Sequence, residues 1–460
     1  MTEATRAAMA DAGAPGLLGA VDCLAVPQGT WSLTDPARTV ARRIGSPRAR
    51  TLRFAVGVSQ QEMLNQALAA VAAGEHDTVV VVGGEARRWL RRGGTEADPE
   101  REPPDGFVDR PPDFVAPIEL AAGILLPPVQ QYALIDNALA AALRLAPDQQ
   151  RREIAALWAR FNVVATHNPD AAFGSPRTAD EIATAGPRNR PLASPYNAWH
   201  ASQWTVDQSS ALVICSAARA AEAGVPADRW LFPHVALHCS KAVTLTARRV
   251  LFAWPAMAVL GHAAEDHVGR PLRDIGLAEV YSCFPAAVRV QQRELGLAPG
   301  GTPTLTGGMT FAGGPFNHFV LQSMLTMGRR LRGEPDELGL VTTVSGMLSK
   351  PGLALWSASP PPPGRPPLVA DLADAAIAAT EVVPVVGSPP GSRTPATVVS
   401  FTVTPGGPGG LEPARTAIVA DLPDGVRTAA TCEDARTARV ALAEGLIGRT
   451  VEVKDTTFSL

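Results

Sequence analysis

The side chains best suited to nucleophilic, acid-base or metal chemistry are five cysteines (Cys23, Cys215, Cys239, Cys283, Cys432) and eight histidines (His76, His167, His200, His234, His238, His262, His267, His318). The cysteines are widely spaced and odd in number, with no CxxC and no Cys/His pair at zinc spacing. His234 and His238 share a face only through the period of a strand. These patterns predict no metal site and a reduced, cytoplasmic protein. Ser59, followed by Glu62, reads as a helix N-cap, although a hydroxyl at a helix N-terminus can also serve as a nucleophile. In Tyr281-Ser282-Cys283-Phe284 the cysteine reads first as a buried structural thiol and second as a reactive one, and Tyr281 as a packing residue or an acid. His318 lies one helical turn after Gly313-Gly314-Pro315, where it faces either a pocket or a neighbouring element. The glycines 307, 308, 313 and 314 permit tight turns and close backbone approach, which suits ligand and packing alike.

These residues need elements to position them. The strand Ala20–Val26, a helix capped by Asp35-Pro36 and stopped by Gly45, the strand Thr51–Val56, a helix after Ser59 and the apolar strand DTVVVVGG follow in order. Together they predict a βαβ unit in a sheet covered on both faces. From about Ala86 to Pro117 the chain is polar and proline-rich, and helical periodicity then runs through Ile135–Leu145 and Arg151–Phe161, as in a helical insertion. The rhythm resumes with VDQSSALVIC and repeats, with Gly57 and Gly314 at corresponding turns. Beyond Trp356, SASPPPPGRPP reads as a linker, and the alternating segments from Thr397 to Lys454 suit a small antiparallel β-barrel.

At 460 residues the chain is long enough for two to four domains. It is 46% hydrophobic and 18% charged, with 41 Lys and Arg against 44 Asp and Glu, which excludes a disordered chain and leaves no electrostatic footprint for nucleic acid. The longest apolar stretch, Val250–Ala264, contains Pro255 and His262 and falls short of the roughly 18 residues of a spanning helix. Lysine occurs only at Lys241, Lys350 and Lys454.

The strings VVVVGGEA, YSCFPAAV and GGMTFAGGP, with VDQSSALVIC and GLVTTVSG, resemble the thiolase superfamily over about residues 1–358. The likeness is strongest to thiolase-like proteins often labelled acetyl-CoA acetyltransferase, which carry a C-terminal β-barrel. The resemblance implies an α/β thiolase fold with these parts: residues 1–115 and 203–245 as the N-terminal half, 116–202 as the helical insertion, 246–358 as the C-terminal half, 359–370 as linker and 371–460 as barrel. A cut near Pro362 is then expected to leave a folded body. Members of the family usually begin with a strand ahead of the helix read at residues 2–12, so the chain is expected to start inside the fold.

The resemblance also locates the chemistry. The nucleophilic cysteine of the family falls on Gly57, the histidine of its Gly-His-Pro turn on Gly314, its acid/base cysteine on Thr342, and the asparagine that holds its catalytic water on Tyr281. Glycine offers neither nucleophile nor base, so the standard catalytic set is missing. The expectation is an acyl-CoA-handling protein of lipid metabolism, acyltransferase by family, with a coenzyme A thioester as substrate or ligand and no other cofactor. Its pocket is expected between the halves, with Gly57, Ser59, Gly313 and Gly314 as binding positions. Tyr281, Cys283 and His318 are the candidate groups for a retro-aldol lyase or another acyl transfer. A non-catalytic role, with a protein partner on the barrel, is the remaining alternative.

Overall fold

The computed structural model describes residues 1–111, 113–386 and 390–460. The N-terminal region runs α1 (Thr2–Asp11), β1 (Cys23–Pro27), α2 (Pro36–Ile44), β2 (Arg50–Phe54), α3 (Gln60–Ala72), β3 (Thr78–Ala86), α4 (Arg87–Arg91) and β4 (Gly106–Val108). Local signals act as read: the Asp35 carboxylate accepts from Arg38 N, and Gly45 closes α2 at φ +91°. At Ser59 the hydroxyl accepts from Glu62 N, but Glu62 does not reciprocate as in a full capping box, because its carboxylate is taken by Arg110. The insertion holds α5 (Pro117–Ala121), α6 (Val129–Ala142), α7 (Pro147–His167), α8 (Ala179–Ala183) and a short β5 (Pro191–Ala193) and β6 (Tyr196–Asn197) hairpin. Then follow β7 (Asp207–Cys215), α9 (Ala217–Glu222), β8 (Phe232–His238), α10 (Pro255–Val268), β9 (Leu277–Glu279), α11 (Pro285–Glu294) and α12 (Gly308–Phe311). The body closes with α13 (Phe319–Leu331), β10 (Gly339–Ser345), β11 (Lys350–Ser357), β12 (Leu368–Asp371) and α14 (Ala373–Ala379). No helix is long and apolar enough to cross a membrane among the described residues.

Two five-stranded sheets organise the body, in the orders β4-β2-β1-β3-β7 and β12-β8-β11-β10-β9. Both are mixed: β7 runs antiparallel to β3 as β11 does to β10. Between them lie α3 and α13, whose Met63, Leu64, Val320, Leu321 and Met324 share one core with Val79, Val81, Val341 and Ala354 of the sheets. Helices α1 and α2 cover the outer face of the first sheet, and α10 and α11 that of the second. The architecture is the expected α/β thiolase fold.

Sheet membership corrects two boundaries. Strand β8, assigned to the N-terminal half by the range 203–245, pairs with β11 in the second sheet. Strand β12 emerges from the proline-rich segment and pairs in parallel with β8, so the linker is shorter than 359–370 and the chain re-enters the body before the barrel. Proline spacing shows where a helix cannot run, not which sheet edge is free.

The barrel itself is present. Strands β13 (Thr394–Gly406), β14 (Glu412–Asp421), β15 (Arg427–Cys432), β17 (Thr457–Ser459) and β16 (Thr450–Lys454) close on one another, with α15 (Ala435–Glu444) packed against β14. One side of it is continuous with the body. Ala417, Val419 and Ala429 belong to the same core as α6, Ser400 Oγ donates to Leu134 O (2.6 Å), and Asn137 Nδ2 donates to Phe401 O (2.8 Å). The Arg427 side chain, 2% exposed, bonds Asp421 and the carbonyls of Arg248 and Arg249.

Truncation near Pro362 is therefore expected to fail, contrary to the reading from the linker: it strips β12 from β8 and bares the barrel-facing side of α6. The truncated chain should aggregate or lose its cooperative melt, as followed by circular dichroism. In the full chain Arg427→Met leaves two buried carbonyls and Asp421 without their partner and should cost about 3 kcal/mol in urea unfolding.

Candidate functional site

The N-termini of α3 and α13 meet at the centre of the body. Gln60 Oε1 accepts from Val320 N (2.8 Å), tying the first turns of the two helices together. Gly57 stands three residues ahead of α3, and Tyr281, which faces Gln60 and packs on Phe319, brings Thr342 and Cys283 to the same junction. Gly57 adopts φ +107°, which favours glycine, and its side-chain direction points at Phe114, whose ring would stand 3.5 Å from a Cβ there. A Cβ on Gly346 would meet Ser349 Oγ at 3.1 Å and the Phe114 Cβ at 3.3 Å, so the same residue borders both glycines, with its ring over Gly57 alone.

Tyr281 packs edge-on against Phe319 with ring centroids 5.9 Å apart, and its hydroxyl faces Gln60. Burial, together with the neighbouring Cys283, raises the phenol well above its usual range, so it stays protonated. The Cys283 thiol faces the Tyr132 hydroxyl and is pushed up to about 12 by desolvation, the reverse of what a nucleophilic thiol requires. Tyr132 donates to Gly346 O (3.2 Å) and stacks on Phe284. Thr342 is fully engaged: its hydroxyl donates to Gln291 and accepts from Tyr281 N (2.9 Å). Ser59 is spent on capping α3.

The remaining expected positions lie elsewhere. Gly314 stands five residues ahead of α13, and a Cβ there would come within 1.9 Å of Ser202 Oγ; Gly313 is filled in the same way by Gln208. Protein, not a cavity, occupies the side-chain direction of this turn. His318 faces Gly83 and Pro27 of the first sheet, and neither ring nitrogen has a partner among the described residues. Desolvation, with the N-terminal amine adding to it, pushes its pKa down to about 3.

Charge enters the site through a residue that the sequence reading passed over. Lys350, 1% exposed, opens β11, pairs with Asp113 (2.7 Å) and approaches Gly57 O (3.5 Å), where Ser345 Oγ also points (3.4 Å). Asp113 in turn accepts from Ala242 N (2.8 Å), which pins the segment bearing Phe114. The available signal was the rarity of lysine: one of three in the chain stands inside an apolar run. No group of three or more His, Cys, Asp or Glu side chains able to hold a metal occurs among the described residues.

His318 makes a pH test. The unfolded chain takes up this proton below about pH 6.5, whereas the folded chain refuses it until about pH 3, so the stabilisation is complete above pH 6.5 and is lost as pH falls toward 3. His200, also held neutral with a pKa of about 3, behaves alike. His318→Leu should therefore remove its contribution, flattening the fall in unfolding free energy between pH 6 and 4 by up to about 1.4 kcal/mol per pH unit. Urea titrations across that range measure it.

No family model and no curated protein matches the sequence. Among solved structures, the chain is similar to a monomeric SCP2-thiolase-like protein type 1 from Mycobacterium smegmatis, at 27% identity over 100% of this chain and 94% of that one, with a TM-score of 0.81. It is also similar to an Ltp2-ChsH2(DUF35) aldolase, at 21% identity over 78% of this chain and 92% of that one, with a TM-score of 0.56. To the dimeric peroxisomal thiolase of Saccharomyces cerevisiae it has 15% identity over 74% and 85% of the two chains, with a TM-score of 0.53. The paired sheets, the two central helices and these neighbours agree, and the chain belongs to the thiolase superfamily.

Proposed function

We propose that this protein handles an acyl-CoA or a related acyl thioester at the junction of α3 and α13 without carrying out thiolysis or Claisen condensation. The observation that carries this reading is Gly57 at the head of α3, under the Phe114 ring, where an acyl-accepting thiolate would have to stand. The helix start and the Lys350 ammonium supply positive potential for a thioester carbonyl or an anion. They supply no atom that can take the acyl group. The only thiol among the groups gathered there, Cys283, is held protonated by burial.

A second reading, a carbon-carbon lyase, is favoured by Tyr281. A buried, protonated phenol beside Gln60 can deliver a proton to a developing oxyanion, and one of the solved structures to which the chain is similar is described as an aldolase. That reading requires Tyr281→Phe to abolish turnover while leaving acyl-CoA binding in place. A role as a non-catalytic partner subunit requires the reverse: binding to another protein and no turnover of any thioester.

Purified protein should show no thiolysis of acetoacetyl-CoA above a buffer blank, while calorimetry with acetyl-CoA should show saturable binding. Phe114→Ala enlarges the space over Gly57. Two added methylenes are worth roughly 1.6 kcal/mol, so butyryl-CoA should gain about tenfold over acetyl-CoA in that variant. Equal affinities in wild type and variant would move the acyl site away from Gly57. Restoring the nucleophile by Gly57→Cys should give a folded protein destabilised by about 1–3 kcal/mol, because a non-glycine residue is strained at φ +107°. It should remain inactive as a thiolase, whereas Gly314→His should fail to fold against Ser202.

A further inference from the structure

In the second half of the body a buried cation stands without an anion. Arg248, 3% exposed, donates from Nε and Nη2 to neutral acceptors: Val243 O (3.3 and 3.2 Å), Met347 O (3.0 Å), Leu348 O (2.7 Å) and Ser349 Oγ (3.5 Å). Burial lowers its pKa only to about 10, so the guanidinium keeps its charge at neutral pH. The carboxylates of the region are spent elsewhere. Glu119 accepts from Thr246 N (2.8 Å), Glu294 from Trp254 N (2.9 Å) and Asp374 from Lys241 Nζ (2.5 Å). Arg248 Nη1 has no partner among the described residues, and neither does Nε1 of Trp254, a side chain 2% exposed. Buried donors without an acceptor are costly, charged ones most of all. Both side chains border a cavity of about 10 Å³, which also meets the first turn of α10 at Pro255 and Ala256. That turn carries backbone N–H groups without intrahelical partners and the positive end of a 14-residue helix. No carboxylate lines the cavity among the described residues.

We propose that this cavity binds a single monatomic anion, chloride, between Arg248, Trp254 and the first turn of α10. A guanidinium, an indole N–H and a helix start all turn positive charge toward one small space, which selects an anion over a cation or an apolar group. The size selects further. A cavity of this volume holds about one water-sized body, so phosphate and carboxylate groups are too large. A water molecule fits as well and accepts from the donors, but it leaves the charge of Arg248 uncompensated. The anion joins segments far apart in sequence: the loop carrying Arg248, the start of α10, the α14 residues Ala376 and Thr380, and Leu348-Ser349 directly ahead of Lys350. It thereby fastens α14, which leads into the barrel, to the turn that opens β11.

The test uses the full chain in gluconate buffer, an anion too large for the cavity, with chloride replacing gluconate at fixed ionic strength. The melting temperature followed by circular dichroism should rise saturably by about 2 °C, with a midpoint at about 1–50 mM chloride. In crystals soaked in bromide an anomalous peak should stand between Arg248 and Trp254. Trp254→Phe removes one donor and leaves an apolar ring, and it should at least halve the chloride-dependent rise while the melt stays cooperative. If that variant does not fold, the wild-type melts and the bromide crystals decide. A melt that is the same in chloride and gluconate overturns the proposal. So does a bromide peak at the cavity with no chloride dependence of the melt, which is an adventitious ion only. A water at this position in the bromide crystals, or an undiminished chloride response in folded Trp254→Phe, overturns it equally.

Discussion

The first half of helix α3, from Gln60 to Asn65, is buried, and its first turn is polar. Gln60, Gln61, Glu62 and Asn65 are all less than 5% exposed, and a buried polar group left unpaired costs about 1–3 kcal/mol. Their partners come mainly from the other half of the molecule. Gln60 accepts from Val320 N, and Asn65 donates to Ala236 O and meets His238 Nδ1 (both 2.9 Å). Gln61 bonds Asn65 and lies so close to β11 that only glycine fits at Gly352. These contacts set the position of α13, β8 and β11 against α3. The second sheet cannot slide along α3 without stranding several buried amides.

The site inherits this rigidity without the usual reactive groups. Its phenols and thiol are neutral for one reason, desolvation, which raises Tyr281, Tyr132 and Cys283. The buried cation Lys350 is tied to Asp113 and so holds Phe114 across Gly57. The frame that would orient a thioester is intact, while the atoms that would accept its acyl group are absent. A scaffold of this kind does not by itself fix a reaction, which depends on the groups at the site.

The barrel and the helical insertion complete each other. Helix α6 is buried almost throughout because the second half covers one side of it and β13 the other. Three buried alanine and valine positions of the barrel enter the body core, and Arg427 spans the boundary. A proline-rich connection has thus become an integral strand and helix, β12 and α14, between two parts that share apolar surface.

Much was legible in the residues alone. Caps at Asp35 and Ser59, the apolar run Val79–Val82 and the alternation in β16 are local signals, and each forms its element because the neighbours in sequence suffice to decide it. The resemblance to thiolases set Gly57, Tyr281, Cys283, Gly314 and His318 on one pocket, whereas the fold fills the turn at Gly314 with Ser202 and turns His318 toward the first sheet. Contacts between residues far apart in sequence were not legible. Nothing near Lys350 announces Asp113, nothing near Gly314 announces Ser202, and no spacing rule sends β8 and β12 to the same sheet. The orientation of His318 away from the site and the ring of Phe114 over Gly57 were decided when the two halves closed on α3. They depend on which surfaces meet, and that is a property of the packed chain, not of any one segment.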